Sequence, residues 1–126
     1  MACRVSKERF GELVEEAVGG LPDPFAEILE TLRIELCDRP TRRMLLDAGV
    51  PAGHRLLGLY HGRPETRRSV EDSAVLPDVI YLFQKEIEES CRDEDELVEQ
   101  VRVTVLHEIG HHFGLDEQSL DELGYG

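Results

Sequence analysis

The sequence predicts a small protein of the α/β (α+β) class, a single domain over residues 1–126. Three observations predict it. Apolar residues recur at helical spacing near both ends of the chain, at 6–18 and 94–113. Between them lie short runs of strand type at 31–38, 54–62 and 79–83. No internal repeat or low-complexity tract divides the chain, and 40% hydrophobic residues suffice for one modest core.

Taken in order, Ser6 to Val18 is an amphipathic helix. Phe10, Leu13, Val14, Ala17 and Val18 share a face, Ser6 is placed to cap it, and Gly19-Gly20 stop it. Pro22 and Pro24 open a short helix over Phe25 to Leu29. "TLRIELCD", 31–38, alternates apolar and polar and reads as a strand. Pro40 begins another short helix through Leu46, ending near Gly49. "HRLLGLYHG", 54–62, is a second strand, too continuously apolar to be exposed on both faces. Residues 63–78, "RPETRRSVEDSAVLPD", form a long polar connection of the kind that is usually functional or mobile. "VIYLF", 79–83, is a third strand. Asp93 with Glu96 three residues on makes a capping box, so the last helix runs from about Glu94 to Phe113.

Charge and cysteine content exclude some functions. With 27 acidic against 14 basic residues the net charge is −13. No basic stripe is present to release phosphate counterions, so neither nucleic acid nor an anionic membrane is the expected partner. No apolar run approaches the roughly 18 residues of a membrane span. "MACRVSKERF" lacks the apolar core of a signal peptide, so a cytoplasmic location is expected. Cys3, Cys37 and Cys91 are too scattered for a disulfide framework, which suits a reducing compartment.

The chemistry concentrates in "VLHEIGHHFGLDE", 105–117. On a helical wheel Val98, Val101, Val105 and Ile109 share one face, and His107 and His111 fall together on another side. That side carries Glu99 and Gln100 early, then Val103, Thr104, Leu106 and Gly110, so the helix enters the protein as it proceeds. Histidines at i and i+4 stand one above the other and reach a single ion, zinc by choice of ligand type. Glu108, one residue round from His107, is placed to act as general base on a water rather than as a ligand. Two surface histidines on a helix is the bland alternative; the capped helix and the apolar flanks weigh against it.

These residues resemble the zincin metallopeptidases, and more narrowly a small bacterial "minimal protease" family of zincin-like proteins. That family shows H-E-I-G-H-H-F-G-[LI]-D-[DE], preceded by "LLGLY-x-G" and "LPD-x-I-x-L" strands. Here they stand as "HEIGHHFGLDE", "LLGLYHG" at 56–62 and "LPDVIYLF" at 76–83. The resemblance spans roughly residues 30–123. It implies a zincin-like fold, with a small twisted mixed sheet of three to four strands packed against the active-site helix. Metzincins place a third ligand at H-E-x-x-H-x-x-G-x-x-H/D. In that register Gly114 is the glycine that turns the chain back and Glu117 takes the ligand position. Asp116, Asp121, an upstream ligand and a two-histidine site stay open as alternatives. No methionine follows the motif, so no methionine turn floors the metal; Leu115, Leu120 and Leu123 are the candidates instead.

The remaining polar residues weigh less. His112 falls on the apolar face and reads as a packed core histidine; His54 and His61 read as structural or exposed. Cys91 is an inert buried thiol before it is an inhibitory metal cap. Tyr125 near the C-terminus is expected to be mobile rather than to reach a transition-state oxyanion. Zincins commonly bind peptide along an exposed sheet edge, which the resemblance puts within 64–77, where Arg67 and Arg68 stand. The expectation is therefore a zinc-dependent peptidase acting on a peptide or protein substrate, with His107, His111 and Glu117 as metal ligands and Glu108 as base. The alternative is a catalytically silent metal- or protein-binding module on the same scaffold.

Overall fold

The computed structural model describes residues 3–62 and 78–112. Helix α1 spans Lys7–Gly19, and the Ser6 hydroxyl caps it by accepting the Arg9 N–H at 3.0 Å. Its apolar stripe of Phe10, Leu13, Val14 and Ala17 is buried, as its spacing predicts. Helix α2 is Phe25–Leu29 and strand β1 is Arg33–Cys37. Helix α3 covers Arg42–Asp47. Thr41 rather than Pro40 starts it, because the Thr41 hydroxyl accepts the Met44 N–H at 3.1 Å, a donor the helix otherwise leaves unpaired. Gly49, at φ 71°, ends it in the left-handed conformation that glycine adopts without strain.

Strand β2 is shorter than expected, Gly58–His61, and β3 is Val79–Phe83. The chain turns directly from β3 into a helix that sequence patterning missed, α4 at Gln84–Glu89. Six residues with one apolar anchor, Ile87, give too little periodicity to be read. Helix α5 spans Glu94–His112. Only half of the expected capping box forms. Asp93 accepts the Glu96 N–H at 2.9 Å, but the Glu96 carboxylate takes the Arg92 N–H at 2.8 Å and the Arg92 guanidinium at 2.9 Å.

The three strands form one mixed sheet in the order β1-β3-β2. β1 runs parallel to β3, with Arg33 opposite Val79 and Cys37 opposite Phe83. β2 runs antiparallel to β3, with Gly58 opposite Leu82 and His61 opposite Val79. The central strand is therefore the apolar one: Val79, Ile80, Leu82 and Phe83 are all buried.

Helix α5 packs against α1 on one side and against β2 and β3 on the other. Its buried residues are Leu97 and Val101 early, then Thr104, Val105, Leu106, Ile109 and Gly110. The helix thus enters the protein along its length, as the wheel predicts. Each fully buried Leu, Ile or Val contributes about 1.5–3 kcal/mol over its exposed state, so the helix end that carries the histidines is anchored by its neighbours' burial.

The N-terminal segment is fastened to the α4–α5 junction. Cys3 N–H donates to the Cys91 carbonyl at 2.8 Å, and Val5 N–H donates to the Glu88 carboxylate at 2.9 Å. The Gln84 amide donates to both the Val5 carbonyl and Glu88, so the buried Glu88 carboxylate is satisfied. All three cysteines are free. Among the described residues no helix is long and apolar enough to cross a membrane.

Candidate metal centre

His107 and His111 lie one turn apart on α5 with ring centroids 6.2 Å apart and planes at 30°. His107 is half-buried where the helix meets the sheet, and His111 is exposed. Glu108 is also half-buried, and its Oε1 accepts the backbone N–H of Tyr60 at 2.8 Å.

That donor is available because of the sheet's alternation. The Leu57 carbonyl accepts from Phe83 N–H at 3.0 Å, so residues 57, 59 and 61 face β3. Tyr60 turns its N–H to the outer edge of β2, where Glu108 meets it. Burial pushes the Glu108 carboxyl above its ordinary value. The Tyr60 N–H, followed by the electrostatic influence of the nearby His111 and His107, opposes that rise.

Tyr60 touches α5 a second time. Its ring stacks on His112, centroids 3.8 Å apart and planes at 19°, and its hydroxyl donates to the Asp78 carboxylate at 2.8 Å. Two glycines make this approach possible. A Cβ on Gly58 would lie 2.6 Å from Thr104 Cγ2 on α5, and one on Gly62 would lie 2.5 Å from the Asp78 carboxyl carbon. Both distances are closer than side chains tolerate, so "GLYHG" brackets Tyr60 with residues chosen for space.

The structure thus brings together His107, Glu108 and His111. Glu117, the expected third ligand, lies outside the described residues, as do Asp116, Asp121, Gly114, Tyr125, Arg67, Arg68 and the segment 64–77. Among the described residues, no three His, Cys, Asp or Glu side chains gather around one point. His112 is not the core histidine expected from the wheel. It is exposed, and its ring lies on the partly buried Tyr60 of β2 rather than in the core.

His54 is exposed in a turn, and His61 is exposed at the end of β2 with its ring 6.5 Å from Tyr81. Cys91 is buried before the start of α5, and that helix start is about 20 Å from His107 and about 26 Å from His111 at 1.5 Å per residue. Burial pushes its thiol up, as an inert cysteine requires. Tyr60 and Asp78 are the residues that sequence reasoning missed, and the glycines on either side of Tyr60 were the readable signal.

Two imidazoles are donors of the kind zinc takes, and bound at about 2.0–2.1 Å to one tetrahedral ion their centroids would stand roughly 5 Å apart, closer than the observed 6.2 Å. Glu108 is turned away from the pair's axis, toward β2, which suits a base more than a ligand.

A family model described as zincin-like metallopeptidase matches residues 29–126. Among solved structures, a conserved hypothetical protein from Thermo thermophilus is similar, with a TM-score of 0.56 and 25% identity, over 94% of this chain and 99% of that one. No curated protein matches the chain.

Proposed function

The chain belongs to the zincin-like metallopeptidase family, and on that premise we propose that it is a zinc-dependent peptidase in which His107 and His111 hold the metal and Glu108 is the general base. The observation that carries this reading is the placement of Glu108. Glu108 is half-buried beside two histidines one helical turn apart, and its carboxylate is turned toward β2, where it accepts the Tyr60 N–H. A carboxyl raised by burial is a better proton acceptor near neutral pH than a solvated one.

Zinc, when bound, supplies Lewis acidity: it acidifies water and polarises the scissile carbonyl. Glu108 takes a proton from the attacking water and returns it to the departing amine, so that one water is consumed per bond cleaved. The Tyr60 N–H holds the carboxylate in place before and after each transfer. Glu117 is the proposed third ligand, through the turn that Gly114 permits. The substrate class is peptide or protein.

The test is Glu108→Gln. Glutamine is nearly isosteric and its carbonyl oxygen still accepts the Tyr60 N–H, so zinc and fold are retained. It cannot accept and return a proton, so hydrolysis falls by at least about 10²–10⁴-fold. Proteome-wide cleavage profiling of wild type against the variant supplies the substrate for the measurement. A near wild-type rate in a zinc-loaded Glu108→Gln protein overturns the reading.

A further inference from the structure

A metal pair whose second member is exposed faces a physical difficulty, because a solvent-exposed imidazole keeps its rotamer freedom unless something orients it. His111 stands in the final described turn of α5, and its ring is exposed, so burial does not hold it. Burial of Ile109 and Gly110 anchors the inner side of that turn, while the side that carries His111 and His112 faces outward and needs a contact of its own to hold the second imidazole.

The geometry points to Tyr60 as a positioning residue for the metal pair, holding the last described turn of α5 through His112. This inference rests on the proposed zinc site. Tyr60 meets α5 at two places and the entry to β3 at a third. Its ring covers the His112 ring at 3.8 Å, its hydroxyl is tied to Asp78 at the entry to β3, and its amide reaches Glu108. The hydroxyl bond fixes the ring's direction, the stack fixes His112, and His112 is the next residue after His111. The amide bond places Glu108 from the same strand position. One residue on β2 therefore sets the relative position of the second imidazole and the carboxylate.

The small residues around it serve the same end. Gly58 lets β2 come into contact with α5 at Thr104, and Gly62 leaves room for the Asp78 carboxylate that the hydroxyl needs. A tyrosine whose only task was to fill the core would be enclosed. Tyr60 is only partly buried, and its face is spent on an exposed histidine. Residues that orient metal ligands from behind typically govern about 10–100-fold of metal affinity.

The experiment is a zinc-affinity measurement by chelator competition on the full chain, with circular dichroism and melting to establish that each variant is folded. The proteins are wild type, Tyr60→Leu, His112→Ala, His112→Phe and the double variant Tyr60→Leu/His112→Ala. Tyr60→Leu and His112→Ala are expected each to weaken zinc binding about 10–100-fold. The double variant should lose no more than either single, because both remove the same stack. His112→Phe restores a ring to the stack and should bind zinc close to wild type, a rescue that a merely structural role would not give.

Folded Tyr60→Leu with wild-type affinity overturns the inference, and so do losses that simply multiply in the double variant. If Tyr60→Leu does not fold, the comparison of His112→Ala with His112→Phe decides, since His112 is exposed and its removal leaves the core intact. Equal affinity in those two variants then overturns it. A wild-type protein that binds no zinc sinks the zinc-site reading itself and this inference with it. Wild type that binds zinc with every variant unaffected sinks the inference alone.

Discussion

Gly58→Ala tests how closely β2 approaches α5. The added methyl would lie 2.6 Å from Thr104 Cγ2, 3.1 Å from the Tyr81 carbonyl oxygen and 3.3 Å from Leu82 Cδ2. Thr104 cannot easily turn its methyl away, because its hydroxyl donates to the Gln100 carbonyl at 2.7 Å and this fixes the rotamer. The strand must move off the helix instead. Overpacking of this kind costs about 1–3 kcal/mol. Restricting the unfolded chain by Gly→Ala returns about 0.4–1 kcal/mol. The expected net loss is about 1–2 kcal/mol, or a fall in melting temperature of roughly 3–10 °C for a chain of this length.

Thermal and urea denaturation measure that loss, and the decisive control is the same substitution in a Thr104→Ser background. Serine keeps the hydroxyl bond and removes the clashing methyl, so Gly58→Ala should there be markedly less harmful, with a coupling of about 1 kcal/mol or more. The rescue is incomplete, since the Tyr81 and Leu82 contacts persist. Displacing β2 also loosens the Tyr60–Glu108 hydrogen bond, so the hydrolysis proposed for this site should fall along with stability in the single variant. A Gly58→Ala protein as stable as wild type, or a loss that Thr104→Ser does not relieve, would refute the account of how β2 meets α5.

Three further outcomes are expected. Purified protein binds about one zinc, and His107→Ala or His111→Ala removes most of it; equal metal by elemental analysis in all three proteins would contradict the assignment. Glu117→Ala weakens zinc binding more than Asp116→Ala in chelator titrations, and the reverse order moves the third ligand by one residue. Glu89 is held at about 2 by hydrogen bonds from Arg39 and Arg55. Its folded value lies below the unfolded one, so its stabilisation is present above about pH 4.3 and lost as pH falls toward 2. The stability gap between wild type and Glu89→Gln, read by urea denaturation, should therefore close between pH 6 and pH 2, and should shrink with salt because the pair is exposed.

The features legible in the order of residues are local ones. The spacing of His107, Glu108 and His111 puts them on one helix, and the burial of Val101, Val105 and Ile109 follows from the same periodicity. Ser6, Asp93 and the run Val79–Phe83 mark two helix starts and a central strand through the preferences of their own side chains. Folding in three dimensions decided what meets them. The sheet order β1-β3-β2 fixes which edge of β2 faces away from β3, and only then does Tyr60, 48 residues from Glu108, become its hydrogen-bond donor. The place of His112 against Tyr60 likewise depends on where β2 meets α5, and α4 exists because Ile87 finds a core to enter. Periodicity reports which face of an element is apolar. It carries no information on which distant backbone will arrive there, because that depends on the combined packing of elements whose contacts are far apart in sequence.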